Sequence, residues 1–334
     1  MKPNTLLKSY RFVAKFILAI IAISGLGSAP PVAAAEDLRI GVSRAPLSLP
    51  IYVAEAEGYF AAEGVRLRIV DCSTGRVCLG KMLGGDVELS TVANSPLVFA
   101  SLEGIKFAIL ASISSSASDA KLVVRAGAGI AKPRDLIGKK VGVFTGTTAQ
   151  YFLDSYLLFY DIDPAQVAIS TVKPEEVVEA LRSARFDALA IFAPFTDEVL
   201  EKVVGAKALP AVRIVPGAFN LVSTPKALIG RDREIEAILR ALKRANTVIR
   251  NNPERAKTIL MSRLQRSRSN VESIWREYQY QLSMDQSLLA SLESEARWAV
   301  RGGFVPNAQK VNLLDYLYPG PMQKVAPEFV TLFR

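Results

Sequence analysis

The sequence predicts an α/β protein of two lobes that follows an N-terminal leader. Short apolar segments with strand patterning alternate with helical segments from residue 38 to about residue 202. A polar, Gly-rich stretch over 126–133 interrupts this alternation once. Beyond residue 224 the pattern becomes helical. We therefore predict two lobes with largely parallel sheets, one of which carries the additional C-terminal helices.

Residues 1–35 are predicted to be a cleaved signal peptide. They begin with a basic region and continue with an apolar stretch, 16–26, that is too short to span a bilayer. Small residues at 33–35 place the cleavage before Glu36. An uncleaved membrane anchor is the alternative. No Cys directly follows the apolar stretch, so we expect a free periplasmic protein without a lipid anchor.

Composition argues against nucleic acid as a partner and against several kinds of catalytic site. The formal charge of +9 falls to +5 when the four basic residues of the leader are removed, and the basic residues form no long run. A weak positive field of this kind suits a small anion. The chain has no His, which excludes His-based triads, zinc protease sites and two-His iron sites. We expect no metal and no cofactor.

The first elements are predicted from periodicity and from helix-end signals. Strands are expected at 38–42, 65–70, 87–92 and 107–113, with helices from Pro50 to about Gly64, at 76–83 and at 95–102. Pro50 suits the start of a helix, and the pair Gly84–Gly85 suits the end of one. Because the connections are short, these strands should be neighbours in one sheet.

The remaining elements follow the same signals. Strands are expected at 121–125, 141–144, 167–171, 188–192, 212–215 and 220–223, and helices at 147–160, at 175–184 and after Pro194. Helix 147–160 has a regular apolar face. Thr224–Pro225 is a cap followed by Pro, and a long amphipathic helix runs over about 235–249. Three more helices open at Pro253, Asn270 and Asp285.

The simplest domain organisation is discontinuous. Lobe one is predicted to comprise residues 37–123 and 224–334, and lobe two, residues 126–213, is inserted into it. Two crossing segments, near 123–126 and 214–222, would then form the hinge. A continuous split at about residue 125 is the alternative.

Cys72 and Cys78 are the only cysteines. In an oxidising compartment they can form a disulfide that ties a strand end to the first turn of the next helix, if their Cα atoms approach within about 7 Å. Two free buried thiols are the alternative. Two ligands without His complete no zinc site, which argues against a metal role.

Three segments together resemble a known family. They are LRIGVSRAPLSLPIYVAEAEGYF at 38–60, GGDVELSTVANSP at 84–96 and LIGKKVGVFTGTTAQYF at 136–152, followed by Ala-Pro-Phe at 193–195. Their order and spacing are similar to those of the periplasmic solute-binding proteins for alkanesulfonates, taurine and nitrate, a branch related to thiamine-pyrimidine-precursor binders. The resemblance covers nearly all of the chain after the leader. It implies a type II periplasmic-binding-protein fold, a ligand held between two lobes, and an ABC permease with its ATPase as partners.

The strongest candidate for ligand contact is the run Thr145, Gly146, Thr147 and Thr148. It follows an apolar strand and opens a helix, where free N–H groups and the helix dipole favour an anion. The glycine lets the backbone approach a ligand closely. An ordinary N-cap turn is the alternative, because Thr caps many helices.

Two further loops are candidates by the same rule. Asn94 and Ser95 end one strand and start a helix, with a capping role as the alternative. Ser43, Arg44 and Ser48 lie in the first strand–helix loop, where the guanidinium can pair with an oxyanion. Exposed arginines are common, so a solvent-exposed position is the alternative.

Phe192 is a candidate for an apolar wall of the ligand site, with a place in the core as the alternative. Members of the resembled family often have Trp-Glu-Pro where this chain has Phe192-Ala193-Pro194. In members that bind an amine, the acid can balance an ammonium. Because burial of an unpaired ammonium is costly, Ala193 argues against taurine and other amino-sulfonates.

Passive capture of a small, anionic organic solute for an ABC importer is therefore the predicted function. We expect a monomer, bound to the membrane only through the permease, with no enzymatic activity. A sensory partner of a membrane receptor is one alternative. An enzyme on the same fold is another, although no base lies beside a nucleophile in any readable motif.

Overall fold

The structure is a computed structural model that describes residues 37–210 and 212–332. The predicted signal peptide lies outside the described residues. Within them, no helix combines the length and the apolar character that a bilayer crossing requires.

The described strands form two main sheets. They are β1 Leu38–Ser43, β2 Leu67–Cys72, β3 Leu89–Ala93, β4 Ala108–Ser116, β5 Ala120–Val124, β6 Lys140–Val143, β7 Ala168–Thr171, β8 Ala188–Phe192, β9 Lys207–Ala208, β10 Gly217–Ser223, β11 Tyr278–Gln279, β12 Met284–Asp285 and β13 Val330–Thr331. One sheet has six strands in the order β11-β4-β10-β3-β1-β2, the other has five in the order β7-β6-β8-β5-β9, and β12 pairs with β13. Each main sheet contains one strand that runs antiparallel to both of its neighbours. This strand is β10 in the six-stranded sheet and β5 in the five-stranded sheet, and each directly follows a segment that crosses from the other sheet.

Helices fill the connections and the C-terminal region. They are α1 Leu49–Ala56, α2 Tyr59–Ala62, α3 Gly75–Leu83, α4 Asn94–Leu102, α5 Thr148–Phe159, α6 Val177–Arg182, α7 Phe195–Lys202, α8 Pro225–Leu228, α9 Asp232–Asn251, α10 Pro253–Leu264, α11 Arg268–Ile274, α12 Gln286–Arg301 and α13 Gly320–Val325. Short 3-10 turns lie at Pro46–Ser48, Pro133–Leu136, Pro164–Gln166, Pro174–Glu176, Trp275–Glu277, Leu313–Tyr316 and Pro327–Phe329. Side chains cap several starts, as where Thr74 accepts from the N–H of Val77 at 3.3 Å.

Three local predictions differ from the structure. The helix expected from Pro50 to Gly64 is broken into α1 and α2 at Gly58, whose φ of 67° takes the left-handed conformation that glycine permits. Residues 212–215 form no strand, because β10 begins only at Gly217 and pairs within the six-stranded sheet. Strand β5 belongs to the five-stranded sheet, so the first crossing lies between Ser116 and Ala120 and not near 123–126.

Two separate hydrophobic cores accompany the two sheets. One core draws its residues from 38–113 and 219–326, and the other draws its residues from 120–215. We refer to the half built on the six-stranded sheet as lobe one and to the half built on the five-stranded sheet as lobe two. That the two halves move against each other stays a prediction.

A disulfide joins Cys72 and Cys78, whose Cα atoms lie 5.5 Å apart. It ties the last residue of β2 to the first turn of α3. This link fixes the loop that carries Thr74 and Arg76 toward the region between the sheets.

Candidate functional site

A cavity lies between the two sheets, beside the segments that cross from one sheet to the other. Its polar lining consists of Ser43, Thr74, Arg76, Ser116, Asp119, Thr147 and Thr148. Its larger apolar lining residues are Leu47, Pro96, Phe152, Phe192, Val215 and Phe219. The space open to the centres of water molecules is about 50 Å³, whereas one water needs about 10–15 Å³ by the same measure. The cavity therefore has room for a few water molecules or for a small solute.

Strand ends from both sheets meet at this cavity. Ser43 ends β1, Ala93 ends β3 and Phe192 ends β8, and all of them line it. In open α/β sheets, ligands bind beyond the carboxyl ends of the strands. The position of the cavity is therefore the one that this rule gives for a binding site.

Thr147 and Thr148 bring the start of α5 to the cavity wall. The Thr147 hydroxyl donates to the carbonyl of Phe144 at 2.7 Å and accepts from the N–H of Ala149 at 3.2 Å. That hydroxyl is thus a helix cap. The first N–H groups of a helix have no intrahelical partner, so the backbone at Thr148 presents donors and the positive end of the helix dipole to the cavity.

Thr145 and Gly146 support this helix start instead of lining the cavity. Thr145 is exposed, and its hydroxyl lies 2.7 Å from the hydroxyl of Thr171. The N–H of Gly146 donates to Oε1 of Gln150 at 2.8 Å, which leaves it unavailable to a ligand. The predicted contact run is therefore reduced to its second half.

Arg76 is a lining residue that the sequence analysis missed. It lies at the start of α3, and its Nη1 donates to the carbonyl of Thr145 in lobe two at 2.9 Å. Within the described residues its Nη2 makes no hydrogen bond, so part of the guanidinium remains for an anion. The signal was present in the sequence, because Thr74-Gly75-Arg76 follows a strand and opens a helix as Thr147 does.

Arg44 and Ser48 do not line the cavity, contrary to prediction. Side chains alternate across a strand end, so Ser43 faces the cavity whereas Arg44 is exposed in a separate surface pocket with Glu55 and Arg263. Ser48 is fully buried, and its hydroxyl donates to the carbonyl of Ser43 at 2.7 Å. Its visible role is to hold the first loop in place.

Asn94 and Ser95 also lie behind the cavity wall and not on it. The side-chain amide of Asn94 donates to Ser291 at 3.0 Å and accepts from Asn220 at 2.9 Å. Ser95 donates to Oε2 of Glu295 at 2.5 Å. Both residues thus anchor α4 to α12, and no side chain caps the start of α4.

Ser95 connects a buried acid to the cavity wall. Glu295 is 1 % exposed, and burial raises the pKa of its carboxyl to about 7 although three side-chain hydrogen bonds lower it. The hydroxyl of Ser95, which binds this carboxyl, lies 3.5 Å from the hydroxyl of Thr148 across the lobes. Ser95 thus lies between the buried carboxyl of Glu295 and the start of α5.

Asp119 is the acidic lining residue, and it lies in the first crossing segment. Its Oδ1 accepts from the hydroxyl of Tyr278 at 2.7 Å. Burial raises the pKa of its carboxyl to about 7, because desolvation outweighs the hydrogen bond and the nearby charge of Lys121. No local sequence motif marks this residue, since only the fold brings the crossing to the cavity.

Phe192 lies on the apolar side of the cavity. Its ring centroid is 5.2 Å from that of Phe144 and 6.1 Å from that of Phe195, both with steep interplanar angles. Such edge contacts rigidify an aromatic wall.

The two lobes touch on either side of the cavity. Nε1 of Trp298 in α12 donates to Oδ2 of Asp154 in α5 at 2.9 Å, and Tyr151 packs on the same indole with ring centroids 5.0 Å apart. On another side, Nη2 of Arg266 donates to the carbonyl of Pro194 at 2.9 Å. These contacts join the two lobes directly. Within the described residues, no cluster of three or more Cys, Asp or Glu side chains could hold a metal ion.

The profile of the NMT1/THI5-like family matches residues 45–256. The chain belongs to this family. The taurine-binding periplasmic protein of Escherichia coli K12 is 28 % identical over 169 residues, which are 50 % of this chain and 52 % of that protein. A putative aliphatic sulfonates-binding protein of Bacillus subtilis 168 is 26 % identical over 164 residues, 48 % of this chain and 49 % of that protein. The matched region thus spans about half the length of these relatives.

Solved structures identify the fold. The periplasmic aliphatic sulphonate binding protein SsuA of E. coli superposes with a TM-score of 0.71 at 17 % identity, covering 85 % of this chain and 98 % of that one. SsuA from Xanthomonas axonopodis pv. citri, bound to MOPS, gives 0.74 at 15 % identity over 84 % and 98 %. The nitrate-binding protein NrtA of Synechocystis PCC 6803 gives 0.69 at 13 % identity over 87 % and 88 %. The predicted periplasmic-binding-protein fold and the predicted family are confirmed.

Proposed function

We propose that this protein is the extracytoplasmic solute-binding component of an ABC importer. It captures a small organic oxyanion, sulfonate-like or related, between its lobes and delivers it to a permease and its ATPase. One observation carries the proposal: both sheets line one cavity at their strand ends, with Arg76 and the start of α5 on its walls. A guanidinium and an open helix start both favour an anion. Capture requires no covalent step, and we propose no enzymatic activity.

We further propose that the chain acts as a monomer in the periplasm after cleavage before Glu36. The E. coli relative is a periplasmic protein, which supports this location. The two relatives are named as taurine-binding and putative aliphatic sulfonates-binding proteins, which supports this kind of solute. Mass measurement of the protein secreted by a bacterial host should give a chain that begins at Glu36. Retention in the cytoplasm would contradict the proposal.

The test is binding of small anions by calorimetry, with thermal denaturation and X-ray scattering on the same samples. At a concentration of 100 times Kd, a true ligand should stabilise the protein by about 2.7 kcal/mol. A bound solute should also hold the lobes together and reduce the radius of gyration. If alkanesulfonates, nitrate and small carboxylates all fail to bind, the proposal is wrong.

A matched pair of variants connects this test to the cavity. Arg76→Gln removes the guanidinium that lines it, and we expect affinity for the anion to fall about fivefold or more, since a charge-assisted hydrogen bond contributes at least 1 kcal/mol. Arg134→Gln makes the same change on the surface of lobe two, where the side chain is 64 % exposed. This control should bind as the wild type does. Equal affinities in the two variants would remove Arg76 from the site.

A further inference from the structure

Two charged side chains of opposite sign line the cavity within the described residues, Arg76 and Asp119. Arg76 stands beside the start of α5, where an oxyanion is favoured. Asp119 lies in the crossing segment between the sheets. A cavity that is lined by both a cation and an anion is complementary to a solute that carries both charges.

The carboxylate of Asp119 has a free acceptor inside the cavity. Oδ1 accepts from the hydroxyl of Tyr278, whereas within the described residues Oδ2 accepts no hydrogen bond. Lys121, in β5, lowers the pKa of Asp119, but its Nζ is paired with Oε1 of Glu277 at 2.8 Å, so this pair brings little net charge to the carboxylate.

Two further carboxylates, Glu277 and Asp197, raise the pKa of Asp119. Each has a cation beside it: Glu277 is paired with Lys121, and the charge of Arg266 lowers the pKa of Asp197. Tyr280 packs on Tyr278 as a neutral phenol, because burial raises its pKa. A desolvated carboxylate in this setting takes up a proton unless a cation replaces it.

We propose that Asp119 is a specificity-determining residue that selects solutes with a protonated nitrogen, so that the cavity holds a zwitterion whose oxyanion faces Arg76 and the start of α5. This inference rests on the proposed function and names the class of its solute. It also revises the expectation, drawn from Ala193, that the protein does not bind amino-sulfonates. Because Ala120 pairs with Phe192 in the β5–β8 ladder, Asp119 lies next to Ala193 at the strand ends, and both line the cavity. A negative charge is therefore present although residue 193 is apolar.

The test compares solutes that differ only by an amine: ethanesulfonate with 2-aminoethanesulfonate, butyrate with 4-aminobutyrate, and propylphosphonate with 3-aminopropylphosphonate. Calorimetry at pH 8 should show at least tenfold tighter binding of the aminated member in one pair or more. Asp119→Asn, which keeps the shape and still accepts from Tyr278, should abolish that preference, so that the two members of a pair bind with similar affinity. Asp161→Asn, the same change at a side chain that is 97 % exposed, should retain the preference.

The pH dependence of binding distinguishes direct contact between Asp119 and the solute from a purely structural role of this residue. The Asp119 carboxyl titrates near pH 7 in the free protein, so affinity for the aminated solute should rise at least tenfold from pH 5.5 to pH 8. Binding at pH 6 should release close to one proton in the wild type, measured in two buffers of different ionisation enthalpy. Neither effect should occur in Asp119→Asn, although Glu295 still titrates in that variant.

The outcomes separate this inference from the function on which it rests. Equal or tighter binding of the amine-free members, or a preference that survives Asp119→Asn, overturns the selection by Asp119 while the solute-binding function stands. Failure of all members of all pairs to bind overturns both. Denaturation curves of each variant confirm that the folded protein is being measured.

Discussion

At Gly146 the backbone φ is 71°, and a Cβ built there would lie 1.9 Å from Nη1 of Arg76. The glycine therefore meets two requirements at once. It takes a left-handed conformation, and it leaves the space through which Arg76 reaches the carbonyl of Thr145 across the cavity. Any side chain at this position would displace the guanidinium.

Gly146→Ala should consequently lower both stability and solute affinity. The left-handed conformation alone costs a non-glycine residue about 1–2 kcal/mol. Gly138→Ala is the matched control, since Gly138 has a φ of 76° but no atom within 4 Å of the added Cβ. Urea denaturation should show a similar loss of stability in both variants, while calorimetry should show weaker binding, by about fivefold or more, only in Gly146→Ala. Equal affinities would mean that Arg76 accommodates the methyl group.

The raised pKa of Glu295 predicts that the stability of the fold depends on pH. Its pKa rises from 4.5 in the unfolded chain to about 7 in the fold because the carboxyl is buried. The folded state thus binds the proton more tightly, so this group's contribution is fully present below pH 4.5 and is lost as the pH rises to about 7. The full loss is about 3 kcal/mol.

Glu295→Gln removes this ionisation and keeps an acceptor for Ser95. The variant should be more stable than the wild type by roughly 1–3 kcal/mol at pH 8 and of similar stability at pH 4.5. Glu293→Gln makes the same change on an exposed position of α12 and should show no such pH-dependent difference. A Glu295→Gln effect of the same size at both pH values would refute the assigned pKa shift.

At the scale of elements, α5 of lobe two pairs with α12 of lobe one through Trp298. The indole of Trp298 lies between Tyr151 and Phe99, with centroids 5.0 and 5.9 Å away, and it binds Asp154 through Nε1. Burial raises the pKa of Asp154, whereas the indole donor lowers it. The hydrogen bond therefore stabilises the ionised carboxyl of Asp154 in surroundings that disfavour its charge.

Trp298→Phe keeps most of the ring packing and removes the donor. An unpaired buried acceptor costs about 1–3 kcal/mol, and if the lobes separate in the solute-free protein, as predicted, that cost falls on the closed form. We expect roughly tenfold weaker solute binding and a smaller decrease of the radius of gyration on adding the solute. Trp275→Phe, which changes an indole packed on Lys257 within lobe one, should leave both measurements unchanged. Normal compaction in Trp298→Phe would show that α5 and α12 do not control closure.

For the whole molecule, two separate cores joined by two short crossing segments are the arrangement that a hinge motion between the lobes requires. Each sheet has its own buried cluster, so each half can stay intact while the crossings change conformation. The cavity lies beside those crossings, and Asp119 is part of one of them. A solute that contacts Arg76, α5 and Asp119 would stabilise the closed arrangement, because it touches both lobes and the hinge together.

The order of elements was readable from the sequence because local rules govern it. Apolar periodicity located most strands and helices, and capping residues marked their starts, as Thr147 and Thr224 do. The same rules failed at Gly58 and at 212–215. There, a backbone turn and a strand partner distant in sequence decided the conformation.

The sequence by itself determined the family, the fold class and the strand ends at which a cavity forms, since these follow from local pattern and from the ordered motifs. Only the tertiary structure decided which side chains face that cavity. It turned Arg44 to solvent, placed Asn94 and Ser95 behind the wall, and brought in Arg76 and Asp119. The physical reason is that a side chain's direction depends on the strands and helices packed against it, which lie far away along the chain.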